Sequence, residues 1–172
     1  THPRSSAASD VYKRQSMAHT KQVKAASILN NAFNSSFTGG DGKELCATDH
    51  PLASGGTLSN ELSTAADLNE TSLENSLIDI ANFKDDRDMI LALRGMKLIV
   101  PTNLQFVADR LMDTPGRVGT SDNDINAVRN MGMVPEGYVV NHFLTDTDAF
   151  FIKTDCPCLL YTSPSPRDGH QS

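Results

Sequence analysis

Cysteine is scarce in this sequence, and the spacing of the cysteines excludes two kinds of stabilised fold. Three cysteines occur in 172 residues, at Cys46, Cys156 and Cys158, and none of them forms a CxxC pair. Cys158 lies in a terminal segment that is set aside below. The other two are too few for a disulfide framework and lack the spacing of a zinc site. We expect both to be reduced thiols, as is usual in a cytoplasmic protein.

Long apolar runs and basic residues are also lacking. No run approaches the roughly 20 apolar residues that span a bilayer, and no charged segment followed by an apolar one marks a signal peptide. Lys and Arg number 15 against 21 Asp and Glu. An acidic chain lacks the clustered positive charge that binds a phosphate backbone, and it disfavours anionic membrane surfaces. We therefore expect no sequence-specific nucleic-acid binding and no membrane partner.

The two ends of the sequence are related through their DNA. The bases GATGTGTATAAGAGACAG encode Asp10–Gln15, and their reverse complement, read one base in, encodes the residues of Cys158–Ser163. A sequencing adapter joined to both ends of a DNA fragment has this property. We therefore expect residues 1–15 and 158–172 to be adapter-derived and disordered, and we exclude them from fold prediction.

The remaining residues 16–157 are long enough for one domain with a hydrophobic core. Without the four basic and two acidic residues of the ends, they carry 11 basic and 19 acidic residues, a net charge of −8.

Apolar periodicity predicts three helices. Residues at helical spacing recur in 25–32, in 73–81 and in 104–112, the last being the clearest signal. Thr71 and Glu74 fit a capping box at the start of the second helix. Thr102 is the expected N-cap of the third helix, and Asp122 or Asp124 that of a short fourth helix within 125–131.

Strands are predicted from apolar runs and turn residues. Residues 97–100 form a short apolar run that ends at a proline and reads as a buried strand. A further short strand is expected at 43–48, followed by a long loop at 53–69. Two β-rich runs, 138–144 and 149–153, flank four polar residues and predict a hairpin. The predicted fold class is α+β with four to six strands.

Chemistry is weakly indicated. His50, next to Asp49, and the distant His142 can supply a base for hydrolysis, and no G-x-S-x-G motif surrounds any serine. Asp146 and Asp148 can hold a divalent cation, although Asp in a hairpin turn more often bonds nearby amides. A fragment of a soluble hydrolase using His50 or His142 is therefore kept as an alternative. We predict no catalytic, cofactor-binding or metal-binding residue and no cofactor.

Several separated segments, in one order, resemble the major capsid (major head) proteins of tailed bacteriophages. The main ones are Lys97–Pro101, Asn123–Ala127 and Val140–Ile152, joined by Thr48–Leu52 and Leu68–Leu73. The resemblance implies a partial capsid fold of the kind named after phage Hong Kong 97. Residues 16–68 would then hold the spine helix and peripheral-domain strands, and 69–136 the axial domain of helices around a small sheet. Residues 137–157 would form a hairpin returning toward the peripheral domain.

The function implied by this resemblance is structural. Copies of the chain would form the hexamers and pentamers of an icosahedral shell around phage DNA, assembled in the host bacterial cytoplasm with scaffold and portal proteins. The Arg117–Asp124 loop would lie near the centre of each capsomer, where its mixed charges would pair between neighbours, and Arg117, Asp122, Asp124 and Asn126 are the candidate contacts. An ordinary surface loop is the equal alternative. The family's N-terminal arm and extended loop have no counterpart in these residues, so we expect weak assembly of this chain alone.

Overall fold

A computed structural model gives the structure of residues 4–116 and 124–156. It contains four α-helices and five strands, which are α1 (Arg4–Asn30), β1 (His50–Pro51), β2 (Thr57–Leu58), α2 (Glu70–Ala81), β3 (Gly95–Val100), α3 (Gln105–Asp113), α4 (Ala127–Asn130), β4 (Tyr138–Val140) and β5 (Phe151–Thr154). A 3₁₀ turn, Thr102–Leu104, precedes α3. The predicted α+β class is confirmed.

A three-stranded sheet lies at the centre of the fold. Strand β3 is the middle strand, with β4 parallel on one side and β5 antiparallel on the other. The register pairs Leu98 with both Tyr138 and Ile152. Leu98 and Val100 of the predicted strand are buried, whereas Lys97 and Ile99 on its other face are half-buried.

The predicted hairpin of 138–144 with 149–153 is wrong. Strands β4 and β5 do not pair with each other, because each pairs with β3 and they lie at opposite edges of the sheet. The polar turn does exist: the Asp146 carboxylate accepts hydrogen bonds from the amides of Asp148 and Ala149. A turn of this kind reverses the chain locally but does not decide which strand each flank pairs with.

The core lies where α2, α3 and α4 cover this sheet. Leu73, Leu98 and Val100 are its largest fully buried side chains. Gly95 lies at a close approach of α2 and β5, because a Cβ atom there would lie 2.6 Å from Leu77 Cδ2 and 3.0 Å from Ile152 Cγ2, so a side chain at this position would displace Leu77. The apolar periodicity of the sequence therefore identifies the core faces of α2 and α3.

The predicted capping box of α2 is displaced by two residues. The N-cap is Asn69, whose side chain accepts from the Ser72 amide, while the Ser72 hydroxyl accepts from the Asn69 amide. Asn caps a helix as well as Ser or Asp. Thr71 and Glu74 therefore lie inside the helix.

Helix α1 is longer than predicted and begins at Arg4, within the segment expected to be disordered. The prediction of disorder for residues 4–15 is therefore wrong. These residues include several good helix formers and neither proline nor glycine, so the helix extends through them. Residues 9–25 are exposed on all sides. Two contacts join α1 to the segment after β4: the His19 ring lies edge-on to Phe143 with ring centroids 5.4 Å apart, and Asn30 donates to the Phe143 carbonyl and accepts from the Thr145 amide, both at 3.0 Å.

Residues 39–61 form a second, smaller region, named here the polar lobe. Its only regular structure is the antiparallel pair β1–β2, in which His50 lies opposite Leu58. The strand predicted at 43–48 is absent, because the amides of Lys43 and Ala47 bond to the side chains of Asp41 and Asn60 rather than to another strand. Side-chain oxygens take the place of a ladder there.

Candidate functional site

The loop predicted to lie between subunits is closed at its base by backbone contacts. Gly116 and Ile125 form an isolated antiparallel bridge, and the Asn126 amide donates to the Pro115 carbonyl at 3.2 Å. Asp124 is exposed beside this bridge. Arg117 and Asp122 lie outside the described residues. Of the four candidate contacts, Asp124 is therefore the one that the structure places on the surface.

Asn126 has a different role from the one predicted. Its side chain is only 4% exposed, so in this fold it does not face a neighbouring subunit. Its amide nitrogen donates to the carbonyls of Leu111 at 2.7 Å and Thr114 at 3.1 Å, and its oxygen caps α4 by accepting from the Arg129 amide. Asn126 therefore joins the end of α3 to the start of α4. It is the N-cap of α4, a position that the sequence analysis had assigned to Asp122 or Asp124.

His50 lies in a polar cluster within the lobe. Its Nδ1 is 2.6 Å from Asp41 Oδ2, and its Nε2 is 3.2 Å from Asn60 Oδ1. The ring is 7% exposed. Burial acts to raise the pKa of Asp41, but the hydrogen bonds from His50 and from the Lys43 amide outweigh it, so the pKa is lowered overall. The pair of Asp41 and His50 has the distance of a base and its orienting carboxylate.

Among the described residues, no activated nucleophile lies beside the Asp41–His50 pair to complete a hydrolytic site. Both ring nitrogens of His50 already have partners within the cluster. Burial raises the pKa of the Cys46 thiol to about 12, which leaves it protonated and poorly nucleophilic. His142 is exposed, and its Nδ1 lies 3.1 Å from the Thr102 hydroxyl. The structure thus gives the two histidines separate partners.

The Asp146–Asp148 segment is a turn in the structure, as the turn interpretation predicts. Asp146 uses one oxygen to accept two backbone amides. Across residues 4–116 and 124–156, no three His, Cys, Asp or Glu side chains come together in a group that would hold a metal ion.

Exposed apolar side chains form two further features that the sequence analysis missed. The first is a tight loop at residues 83–91, the 83–91 loop, in which Lys84 pairs with Ile90 and Asp88 has a φ of 66°. It exposes three consecutive side chains, Met89, Ile90 and Leu91, with Ile90 63% exposed. The available signal in the sequence was the run of three apolar residues directly after the charged run Lys84–Asp88.

The second apolar feature is the end of α1 and the turn after it. Ile28, Phe33 and Phe37 are each about half exposed or more. Phe33 also stacks on Phe151 of β5, with ring centroids 5.9 Å apart. This contact and those of Asn30 hold the end of α1 against the 143–151 segment, with a shallow pocket lined by both.

Comparison with known proteins gives no relative. No protein-family model matches the chain, and neither the curated proteins nor the solved structures contain a significant match. Within the part of the chain that the structure describes, no helix has both the length and the apolar character needed to cross a membrane.

Proposed function

We propose that this chain is part of a virion structural protein, a major capsid protein of a tailed bacteriophage that self-assembles into the icosahedral shell around phage DNA. It would act in the virion, after assembly in the host bacterial cytoplasm. Its partners would be other copies, in hexamers and pentamers, together with scaffold and portal proteins. The observation that carries the proposal is the apolar surface left exposed in the 83–91 loop and at the end of α1.

The two exposed apolar features fit a subunit that is completed by its neighbours. Three consecutive apolar residues in the 83–91 loop and two phenylalanines after α1 are exposed in the single chain. Contiguous exposed apolar surface marks interaction sites, and each Å² of apolar surface removed from water contributes about 25 cal/mol. Repeated contacts between copies would remove both features from water.

Charge supports the same function. The net charge of −8 over residues 16–157 would limit adhesion to DNA that must move into and out of a shell. The exposed Asp124 at the base of its loop would face a basic group of the adjacent subunit. Shell assembly needs no bond-making step, so we propose no catalytic residue and no cofactor. The occupied ring of His50 makes the hydrolase alternative the weaker one.

Sedimentation velocity of the chain over a range of concentrations tests whether the apolar features bind other copies. We expect weak association that grows with concentration and is lost in Ile90→Asp, because a charge would then have to be buried in each contact. Asp86→Asn, an exposed polar change in the same loop, serves as the matched control and should associate like the unchanged chain. A monomer at every concentration, or equal association of Ile90→Asp, would contradict a role of the 83–91 loop in self-association.

A further inference from the structure

The hydrogen bonds around His50 require more protons than a neutral ring provides. Asp41, His50 and Asn60, named here the His50 lock, join the 39–43 turn to β1 and to the segment after β2. Both contacts of the ring are with oxygen atoms. A neutral imidazole has one N–H donor and one lone pair, so it can donate to only one of the two oxygens.

The orientation of the Asn60 amide is fixed independently of His50. Its Oδ1 accepts from the Ala47 amide at 2.8 Å, and its Nδ2 donates to the Leu45 carbonyl at 2.7 Å. Turning the amide over would place donor against donor and acceptor against acceptor at these two positions. The atom facing His50 Nε2 is therefore an acceptor, and Nε2 must carry a hydrogen.

The other ring nitrogen, Nδ1, also faces an oxygen atom. Asp41 Oδ2 lies 2.6 Å from Nδ1, so a proton must lie between them. With Nε2–H already required, the pair of Asp41 and His50 holds one proton more than a carboxylate and a neutral ring.

We infer that the His50 lock is a pH-sensitive device that closes the polar lobe when the Asp41–His50 pair holds this extra proton and loosens the lobe when the proton is lost. The direction follows from mass action: the closed lobe binds the proton, so raising the pH favours the open lobe. The inference concerns the lobe itself and stands whether or not the chain belongs to a capsid.

The other charged side chains of the lobe are Lys43, Glu44, Asp49 and Glu61. On the 39–49 segment, Lys43 forms an ion pair with Asp49, and Glu44 contributes a further negative charge near Lys43. On the segment after β2, Glu61 lies close enough to act on the Cys46 thiol. Besides Asp41, the lobe therefore carries three carboxylates and one lysine, and that lysine is already paired with Asp49.

Loss of the proton has a defined structural consequence. The neutral ring would keep one partner and present a lone pair to the other, either to the Asp41 carboxylate or to Asn60 Oδ1. Asn60 also ties the lobe together through its backbone, since its amide donates to the Ala47 carbonyl at 3.1 Å. Weakening its contact with β1 therefore loosens the connection between the two halves of the lobe.

NMR of the chain with ¹⁵N-labelled histidine tests the proton count directly. We expect both ring nitrogens of His50 to be protonated at pH 5.5, with assignment from a His50→Gln sample. Amide hydrogen exchange is followed over about pH 5 to 8, the range in which histidines change charge. Protection factors, which are corrected for the intrinsic effect of pH, should fall about tenfold at Ala47 and Asn60 as the pH rises, while those of Leu98 and Ile99 in β3 stay constant.

Two variants separate the lock from a general effect of pH. In His50→Gln the protection at Ala47 and Asn60 should be low and independent of pH, whereas His142→Gln, which removes an exposed histidine, should keep the full dependence. A neutral His50 ring at pH 5.5, or protection that does not change with pH in the unchanged chain, would overturn the inference. If His50→Gln fails to fold, selective assignment through the Asn60 contacts still allows the ring measurement on the unchanged chain to decide.

Discussion

The body of the molecule and the polar lobe are held together by different forces. In the body, α2, α3 and the sheet enclose aliphatic side chains such as Leu73, Leu98 and Val100. In the lobe, the buried residues are Ala47 and His50, and the structure depends on the side chains of Asp41 and Asn60. Apolar packing does not respond to pH, whereas a proton-dependent cluster does. The stability of the body is therefore independent of the proton held by Asp41 and His50, whereas the stability of the lobe depends on it.

The largest loss of stability is expected when a side chain at the centre of the body's core is removed. Leu98→Ala removes a side chain that is fully buried in the middle strand and should lower the free energy of unfolding by about 3 kcal/mol. Urea titration followed by circular dichroism measures this loss. Val139→Ala, on the exposed side of β4, is the control and should cost less than a third as much. Equal losses would mean that β3 does not form the core.

A smaller effect is expected where the body uses a buried amide. Asn126→Ala leaves the carbonyls of Leu111 and Thr114 and the Arg129 amide without this partner. The expected loss is about 2 kcal/mol, because buried polar groups without hydrogen bonds are costly. The melting temperature reports it, with the exposed Asn130→Ala as the matched control. A variant as stable as the control would mean that the Asn126 hydrogen bonds do not stabilise the junction of α3 and α4.

In the lobe, the corresponding change should be local. Asn60→Ala removes the side-chain bonds to Leu45 and Ala47 and to the His50 ring. We expect faster hydrogen exchange at the Ala47 amide by about tenfold, the equivalent of one hydrogen bond, with little change in global melting. Ser54→Ala, in the exposed part of the lobe, should leave the exchange unchanged. A large drop in melting temperature would show that the lobe and the body unfold as one unit.

The smallest effect is expected at the surface ion pairs of the sheet. The hydrogen bond from Lys97 to Glu136, opposed by burial and helped by Lys153, lowers the pKa of Glu136. Because the folded value is depressed, its stabilisation is present above the ordinary pKa of Glu and is lost as the pH falls through the folded value. Glu136→Gln should therefore lower the melting temperature slightly at pH 7, and this difference should shrink as the pH falls below the ordinary pKa of Glu. Asp79→Asn, on the exposed face of α2, is the control.

The sequence predicts the body better than the lobe. Leu77 and Leu111 recur at helical spacing with their neighbours, and Lys97–Val100 is a continuous run before a proline, so α2, α3 and β3 follow from local pattern. The hairpin prediction failed because pairing with β3 is a long-range choice. In the lobe, Asp41, His50 and Asn60 are separated by turns without periodicity. Nothing in their spacing indicates that the three would meet.

At the candidate site too, the sequence does not predict which residues are exposed and which are buried. The four candidate contacts were identified through resemblance, and the structure then separates the exposed Asp124 from the buried Asn126. Sequence pattern could not make that distinction, because Asp and Asn are both good caps and both common in surface loops. The 83–91 loop has a clear apolar triplet, but its exposure depends on the tight turn at Asp88.

Electron microscopy of the complete gene product tests the proposed function most directly. The reading frame that contains residues 16–157 would first be sequenced across both flanks in the source DNA. Its full product would then be expressed and imaged unstained in vitreous ice. The account predicts closed shells of uniform diameter built from hexamers and pentamers. A product that remains monomeric at high concentration, and forms neither capsomers nor shells when scaffold protein is co-expressed, would contradict it.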